Sequence, residues 1–241
     1  MTRWCFFKDE RCPPRFNMVR DAELFEGVSR GTIQGFFRVY NWAYPAVTIG
    51  YHQKNFSLAD ETIAIPIVKR PTGGGAVLHS DDITFSISSS IRSLSSGSFM
   101  DVYSRIARVF ERAFRSCGLE VHVEDQAVKQ SSVCFARTSP MELSLDHRKI
   151  MGCAQKVRGE YFLQQGVIPL QVDENLTRRV FGNSLPEIPG GLFSYLPDFS
   201  MERFILHLKE AFSSSLNILL VDCHHDDAES NHPDEGEVDL G

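Results

Sequence analysis

Arg70-Pro-Thr-Gly-Gly-Gly-Ala-Val-Leu-His79 sets three successive glycines between two strand-like runs, Ile65–Lys69 and Ala76–Leu78. Side chains are missing there over three residues, which fits a place where backbone must approach something closely. Exposed backbone N–H groups in such a loop can bind a carbonyl or a phosphate. Arg70 stands beside the loop and could hold an anion. An ordinary glycine hinge is the alternative. The spacing G-x-x-x-x-G-K-[ST] is absent, so the loop is no P-loop, and no G-x-G-x-x-G follows a strand, so a Rossmann site is unsupported.

Working outward, Ala76–Leu78 and Ile83–Ser89 flank the polar turn Ser80–Asp82 and predict a hairpin. Ile83, Phe85 and Ile87 alternate with Thr84, Ser86 and Ser88, the pattern of a half-buried strand. Phe36–Tyr40 and Ala46–Gly50 predict two strands joined by a turn at Pro45. Asn17 predicts the N-cap of a first helix carrying Met18, Ala22, Phe25 and Val28 on one face. Downstream, Ser93–Ser98 reads as a loop. Val102, Ile106, Val109, Phe110, Ala113 and Phe114 recur at spacings of three and four, so 101–117 is a helix with one apolar stripe. Its other face holds Arg105, Arg108, Arg112 and Arg115, a solvated row or a partner site. Further short strands are expected at 119–123, 141–145, 150–154 and 161–169, and Ser200 should cap a last helix. Strand runs interrupted by a few helices argue an α+β fold, mixed or antiparallel sheets packed with helices, over strict βαβ alternation.

Composition narrows the function classes. The chain has 241 residues, 42% of them hydrophobic, enough to build a core without disulfide or metal. No run of 18 apolar residues exists, and Met1–Pro14 lacks the apolar core of a signal peptide. A cytoplasmic protein without membrane partners is expected. The net charge of -6 comes from the C-terminal end, where 222–241 holds eight acids and no Lys or Arg. Residues 1–221 carry about +2, which argues against a nucleic-acid partner and leaves room for an acidic protein met by a local basic patch. We therefore expect one catalytic domain over 1–221, an acidic disordered tail over 222–241, and no separate C-terminal accessory domain. The tail histidines 224, 225 and 232 do not by themselves make a metal site. The six cysteines form no C-x-x-C pair, so a zinc ribbon is unsupported, and without a secretory signal disulfides are not expected.

A second informative segment runs from Cys134-Phe135 to Lys149-Ile-Met-Gly-Cys-Ala-Gln155. A lysine beside small residues can approach a ligand and place a point charge on an oxyanion, although a lysine at a strand start is more often a surface residue. Taken together, Asn17-Met18 with Asp21, Arg38-Val-Tyr-Asn-Trp42, Pro45–Gln53, Arg70–Ser86, Lys149–Gln155 and Gln165–Pro169 resemble the lipoate-protein ligase, octanoyltransferase and biotin-ligase catalytic superfamily. The resemblance spans most of the chain. It implies a biotin/lipoate-ligase-like catalytic domain that attaches an octanoyl or lipoyl group to a lysine of an apo lipoyl domain. Such domains belong to 2-oxoacid dehydrogenase complexes and the glycine cleavage H protein. It assigns Arg70, Gly73, Gly74, Gly75, Ala76, Val77 and His79 to the ligand pocket, with Gly152, Ala154 and Gln155 on the same wall. Lys149 matches the family's carbonyl-contacting lysine.

Two mechanisms fit that resemblance. A transferase takes the acyl group from acyl carrier protein and holds it on a cysteine, for which Cys134 is the match. A ligase uses ATP and Mg to make an acyl-adenylate from lipoate. The absence of an accessory domain favours the transferase, with no tightly bound cofactor or metal. The triple glycine is the ligase form and keeps the ligase as the alternative, whereas the Ser80-Asp81-Asp82 that follows His79 departs from the His-Asp of many ligases. A biotin ligase is weaker, since its G-R-G-R-x-G loop is not here. An inactive relative that only binds lipoate or lipoyl domains is the non-enzyme reading, and retention of Arg70 and Lys149 counts against it.

Overall fold

The structure, a computed structural model, describes residues 1–95, 98–123, 143–145, 148–185 and 190–224. In chain order these form β1 (Thr2–Cys12), α1 (Pro14–Ser29), β2 (Gly35–Trp42), β3 (Ala46–Ile49), β4 (Ile67–Lys69), β5 (Val77–His79) and β6 (Asp81–Ser90). Then come α2 (Ile91–Leu94), α3 (Phe99–Ser116), β7 (His122–Val123), β8 (Leu143–Leu145), β9 (Arg148–Arg158), β10 (Tyr161–Gln171), α4 (Glu174–Phe181), α5 (Met201–Leu216) and β11 (Ile218–Asp222). Eight strands make one mixed sheet in the order β11-β1-β2-β6-β10-β9-β8-β7, and three make a second, β4-β3-β5. The α+β expectation holds.

The central strand β6 is buried on both faces, which a half-buried pattern did not anticipate. Phe85 and Ile87 enter the main core with the predicted stripe of α3 and with Phe204 and Phe212 of α5. Phe85 stacks on Phe110 at 4.4 Å, and Phe37 on Phe212 at 5.3 Å. The opposite, polar face lies under α1. Burial there is tolerated because each hydroxyl is hydrogen-bonded: Ser86 donates to Asp21 Oδ1 at 2.6 Å, and Ser88 to the Phe162 carbonyl at 2.6 Å. The arginine row of α3 is a paired surface. Arg105 meets Asp101, Arg108 and Arg115 meet Glu111, and Arg112 reaches Ser215.

Several local expectations fail for tertiary reasons. β5 and β6 are no hairpin: β5 pairs with β3 in the small sheet, β6 with β2 and β10 in the large one. The chain crosses between sheets at Ser80. β2 and β3 also lie in different sheets. Asn17 sits inside α1, whose N-cap is Pro13, and its side chain is spent on tertiary partners described below. Part of the expected 93–98 loop is helix, since α2 runs to Leu94. Ser200 does cap α5, accepting from Arg203 N at 3.3 Å.

The N-terminal strand β1 runs parallel to β11, with Cys5 opposite Val221. That pairing brings Cys5 and Cys223 to a Cα separation of 5.5 Å, and they are joined as a disulfide. The expectation of no disulfide is thus corrected. It arose from the lack of a secretory signal, which says nothing of two strand ends brought together from 218 residues apart. Cys223 N also donates to the Phe6 carbonyl, so packed chain extends past 221.

Candidate active site

A pocket opens between the α1-covered face of the large sheet and the small sheet. Its apolar wall is Met18 of α1, Tyr40 and Trp42 of β2, Val77 of β5 and Val167 of β10. Gly152 and Ala154 of β9 leave room by being small, and Thr48, Arg70, His79, Thr84, Cys153, Gln165 and Gly166 complete the lining; the missing side chain of Gly166 makes room for the Phe85 ring on the other face of the sheet. Of the residues expected here, Arg70, Val77, His79, Gly152 and Ala154 line it. The other expected residues lie elsewhere. Ala76 is fully buried in the core beneath the small sheet, with Val47, Val180, Phe181 and Leu185. Gln155 donates to Gln164 Oε1 at 2.7 Å across β9 and β10.

The glycine run is shaped by Arg70. Its Nη2 donates to the carbonyls of Gly73 at 2.6 Å and Gly75 at 2.8 Å. Its Nη1 donates to the Thr48 carbonyl and hydroxyl at 3.2 Å each. Arg70 was expected to hold an anion. Instead its fork is turned on the loop's own carbonyls, and it serves as scaffold and pocket wall. Gly74 has φ +91°, and a Cβ there would lie 2.7 Å from Arg70 Nη2. A Cβ on Gly50 would collide with the Gly74 carbonyl. Any side chain at 74 must therefore displace the guanidinium from its carbonyls. Gly74→Val is expected to leave a folded protein that binds octanoate at least about tenfold more weakly in calorimetry, an affinity loss of about 1.4 kcal/mol; unchanged affinity would make the run an ordinary hinge.

His79 is clamped. Its ring stacks on Trp42 at 4.1 Å, Nδ1 lies 3.0 Å from Asp82 Oδ2, and Nε2 lies 3.0 Å from Thr48 Oγ1. Thr48 Oγ1 also accepts from Arg70 Nη1 at 3.2 Å, which ties the ring to the arginine scaffold.

Beneath the pocket lies a buried charge network that sequence reading touched only through the resemblance. Arg38, fully buried, donates to Asp9 Oδ2 at 2.6 Å, Asp21 Oδ1 at 2.7 Å and Asn17 Oδ1 at 2.8 Å. Asp21 also accepts from Tyr40 at 2.8 Å and from Gln165 Nε2 at 2.6 Å. Gln165 Oε1 in turn accepts from Thr72 Oγ1 at 2.7 Å. One hydrogen-bonded chain thus runs from Asp9 through Arg38, Asp21 and Gln165 to Thr72 beside the glycine run. Burial opposes the Arg38 charge, but Asp21, Tyr40 and Asp9 outweigh it and raise the guanidinium pKa. Burial, then the Asp21 carboxylate, push the Tyr40 hydroxyl well above its usual range, so it remains a donor.

Lys149 is buried at 6% exposure, against the expectation that a strand-start lysine is a surface residue. It pairs with Ser144 of β8 where the register shifts, three residues before Gly152. It is not among the described residues that line the pocket. Cys134 lies outside the described residues. Cys153, expected as a buried small hydrophobe, packs partly buried against the main core and also borders the pocket. The other described thiols, Cys12 and Cys117, have raised pKa values, chiefly from burial, which disfavours the thiolate a nucleophile needs. Tyr40, Trp42, Gln165 and Val167 were legible as pocket walls only through the alternation of β2 and β10.

Residues 13–213 match the lipoyl protein ligase A/B catalytic domain. The octanoyltransferase LipM of Carboxydothermus hydrogenoformans is 31% identical over 88% of this chain and 84% of its own length. The enzyme of that name from Lysinibacillus sphaericus is 30% identical over 91% and 89%. Among solved structures, lipoate-protein ligase A bound with ATP superposes with a TM-score of 0.68 at 19% identity, over 95% of this chain and 92% of that one. The bi-partite lipoate protein ligase of Thermoplasma acidophilum, studied with its E2 lipoyl domain, gives 0.66 at 20% identity, over 95% and 90%. At these identities the structures establish the fold. The family match over most of the chain and the identity with the LipM enzymes establish descent: this chain belongs to the lipoyl protein ligase A/B catalytic domain family.

Proposed function

We propose that the chain is a cytoplasmic acyltransferase that passes an octanoyl group from acyl carrier protein, through Cys134, to the target lysine of an apo lipoyl domain. The catalytic unit of this reading is the expected 1–221 extended through Cys223, which the Cys5 disulfide ties to β1. The observation that carries it is the apolar pocket walled by Met18, Tyr40, Trp42 and Val167 and floored by Gly152 and Ala154. An eight-carbon chain buried there gains about 0.8 kcal/mol per methylene, about 5 kcal/mol in all. The names of the LipM relatives support octanoyl as the acyl group. Among the described residues no helix is long and apolar enough to cross a membrane.

In the first step the Cys134 thiolate attacks the carrier thioester carbonyl, the carrier's carbon–sulfur bond breaks, and the carrier sulfur leaves as a thiolate that takes a proton from solvent. In the second the neutral lysine amine of the lipoyl domain attacks the Cys134 thioester. An amide forms, the amine loses a proton to solvent, and the Cys134 thiolate is regenerated. Lys149 supplies a fixed positive charge to the oxyanion in each step. The rival reading activates lipoate with ATP and leaves Cys134 structural.

Mixing the protein with octanoyl-carrier protein alone tests the choice. One hydroxylamine-labile octanoyl adduct is expected in wild type and in Cys153→Ser, and none in Cys134→Ser. If no adduct forms, and Cys134→Ser still lipoylates the domain with lipoate and ATP, the ligase reading replaces this one.

A further inference from the structure

Two lysines from different sheets, each one or two residues from a pocket-lining residue, converge on one exposed ring. Lys69, on the edge strand β4, places Nζ 4.7 Å from the Tyr51 ring centroid. Lys156, on β9, places Nζ 5.3 Å from the same centroid. The two ammonium groups therefore lie within about 10 Å of each other, a spacing at which like charges repel. Among the described residues neither forms an ion pair with a carboxylate. Tyr51 is 43% exposed, and Ile67, on the same face of β4 as Lys69, is 40% exposed.

The cluster adjoins the acyl pocket. Lys156 follows the pocket residues Gly152 and Ala154 on one face of β9 by period-two alternation. Lys69 precedes Arg70, and Tyr51 N donates to the Thr72 carbonyl at 2.8 Å. A bare rim with two unpaired cations would repel the lysine of an incoming acceptor. It favours an acceptor that surrounds that lysine with carboxylates, and near the two ammonium groups the approaching amine would lose its proton more readily. An exposed aromatic beside an apolar side chain and flanked by cations is the composition of a protein contact. A phosphate site would more often present an arginine fork or converging backbone N–H groups.

We infer that Tyr51, Lys69, Lys156 and Ile67 form the docking surface for the acidic face of the acceptor domain around its target lysine. This rests on the acyl-transfer reading for the acceptor's identity, but its test needs no turnover. The affinity of the full-length protein for the apo lipoyl domain of a 2-oxoacid dehydrogenase is measured by calorimetry at low and physiological salt, for wild type and for Lys69→Glu/Lys156→Glu. The double variant is expected to bind about tenfold more weakly, with a flatter salt dependence, while still loading octanoyl from its carrier at the wild-type rate. Tyr51→Phe should bind as wild type, since it keeps the ring. Equal affinity of wild type and double variant overturns the inference. So does slowed acyl loading together with lost inorganic pyrophosphate binding, which would make the cluster a phosphate site for the donor. If domain binding falls as expected while no acceptor is ever acylated by wild type, the docking surface stands and the catalytic reading fails.

Discussion

Arg38→Leu is expected to lower the unfolding free energy by about 3–5 kcal/mol, the cost of leaving buried charge without its partner. The substitution keeps volume and apolar packing on β2 but strands Asp9 and Asp21. Asp21 is fully buried, and its remaining donors, Tyr40, Ser86 and Gln165, are neutral and cannot replace the guanidinium charge. The melting temperature should fall on the order of 10 °C for a domain of this size. Asp21→Asn, which keeps shape and removes the charge, should also destabilise, and Arg38→Leu/Asp21→Asn should cost less than the two singles added. Urea unfolding followed by circular dichroism reads all three. A loss below about 1 kcal/mol for Arg38→Leu would mean that water already reaches the carboxylates.

Lys149→Ala is expected to slow acyl transfer by about 10²–10³-fold, the usual effect of removing one oxyanion partner. Because Lys149 is buried, its removal also changes packing at the β8–β9 register shift, so folding is checked by thermal melting. Lys149→Met, which keeps the length of the chain and loses the charge, separates the two effects. A folded Lys149→Met protein should retain octanoate binding and lose turnover. Near wild-type turnover in either variant would remove Lys149 from the chemistry.

The difference between what the sequence disclosed and what it hid follows from the range of the interactions. The stripe of α3 and the Ser200 cap depend on residues three or four apart, and a period pattern reports them directly. The alternation of β6 was correct as a strand, yet its polar face was read as solvated. Nothing local in Thr84, Ser86 and Ser88 says that α1 will cover them. Asn17 looked like a cap because its side chain suits one, but the helix starts at Pro14 and Asn17 instead accepts from Arg38, 21 residues away. The short β5 and long β6 mimic a hairpin, since a turn at Ser80 is equally compatible with a switch between sheets. β11 escaped notice because its partner, β1, lies at the other end of the chain, and β1 because it is held between β11 and β2.

The site shows the same division. Glycines 73–75 mark a loop in sequence, and the loop meets the pocket through Arg70, which lines the pocket and holds the Gly73 and Gly75 carbonyls. The role of Arg70 could not be read locally, because a guanidinium beside a glycine loop can face an anion or the loop's own carbonyls. Distances of 2.6 and 2.8 Å to Gly73 and Gly75 decide for the carbonyls. The hydrogen-bonded chain from Arg38 through Asp21 and Gln165 to Thr72 joins four separate segments. Each of its members is unremarkable in its own neighbourhood.

The most direct test of the account supplies purified protein with an apo lipoyl domain and one of three acyl sources: octanoyl-carrier protein, octanoate with ATP and Mg, or lipoate with ATP and Mg. The mass of the domain is then followed. The account predicts a gain of one octanoyl group on the target lysine with octanoyl-carrier protein, without ATP, and a much slower reaction from the free acids. No mass gain from any source, in a protein that still binds octanoate, would contradict it.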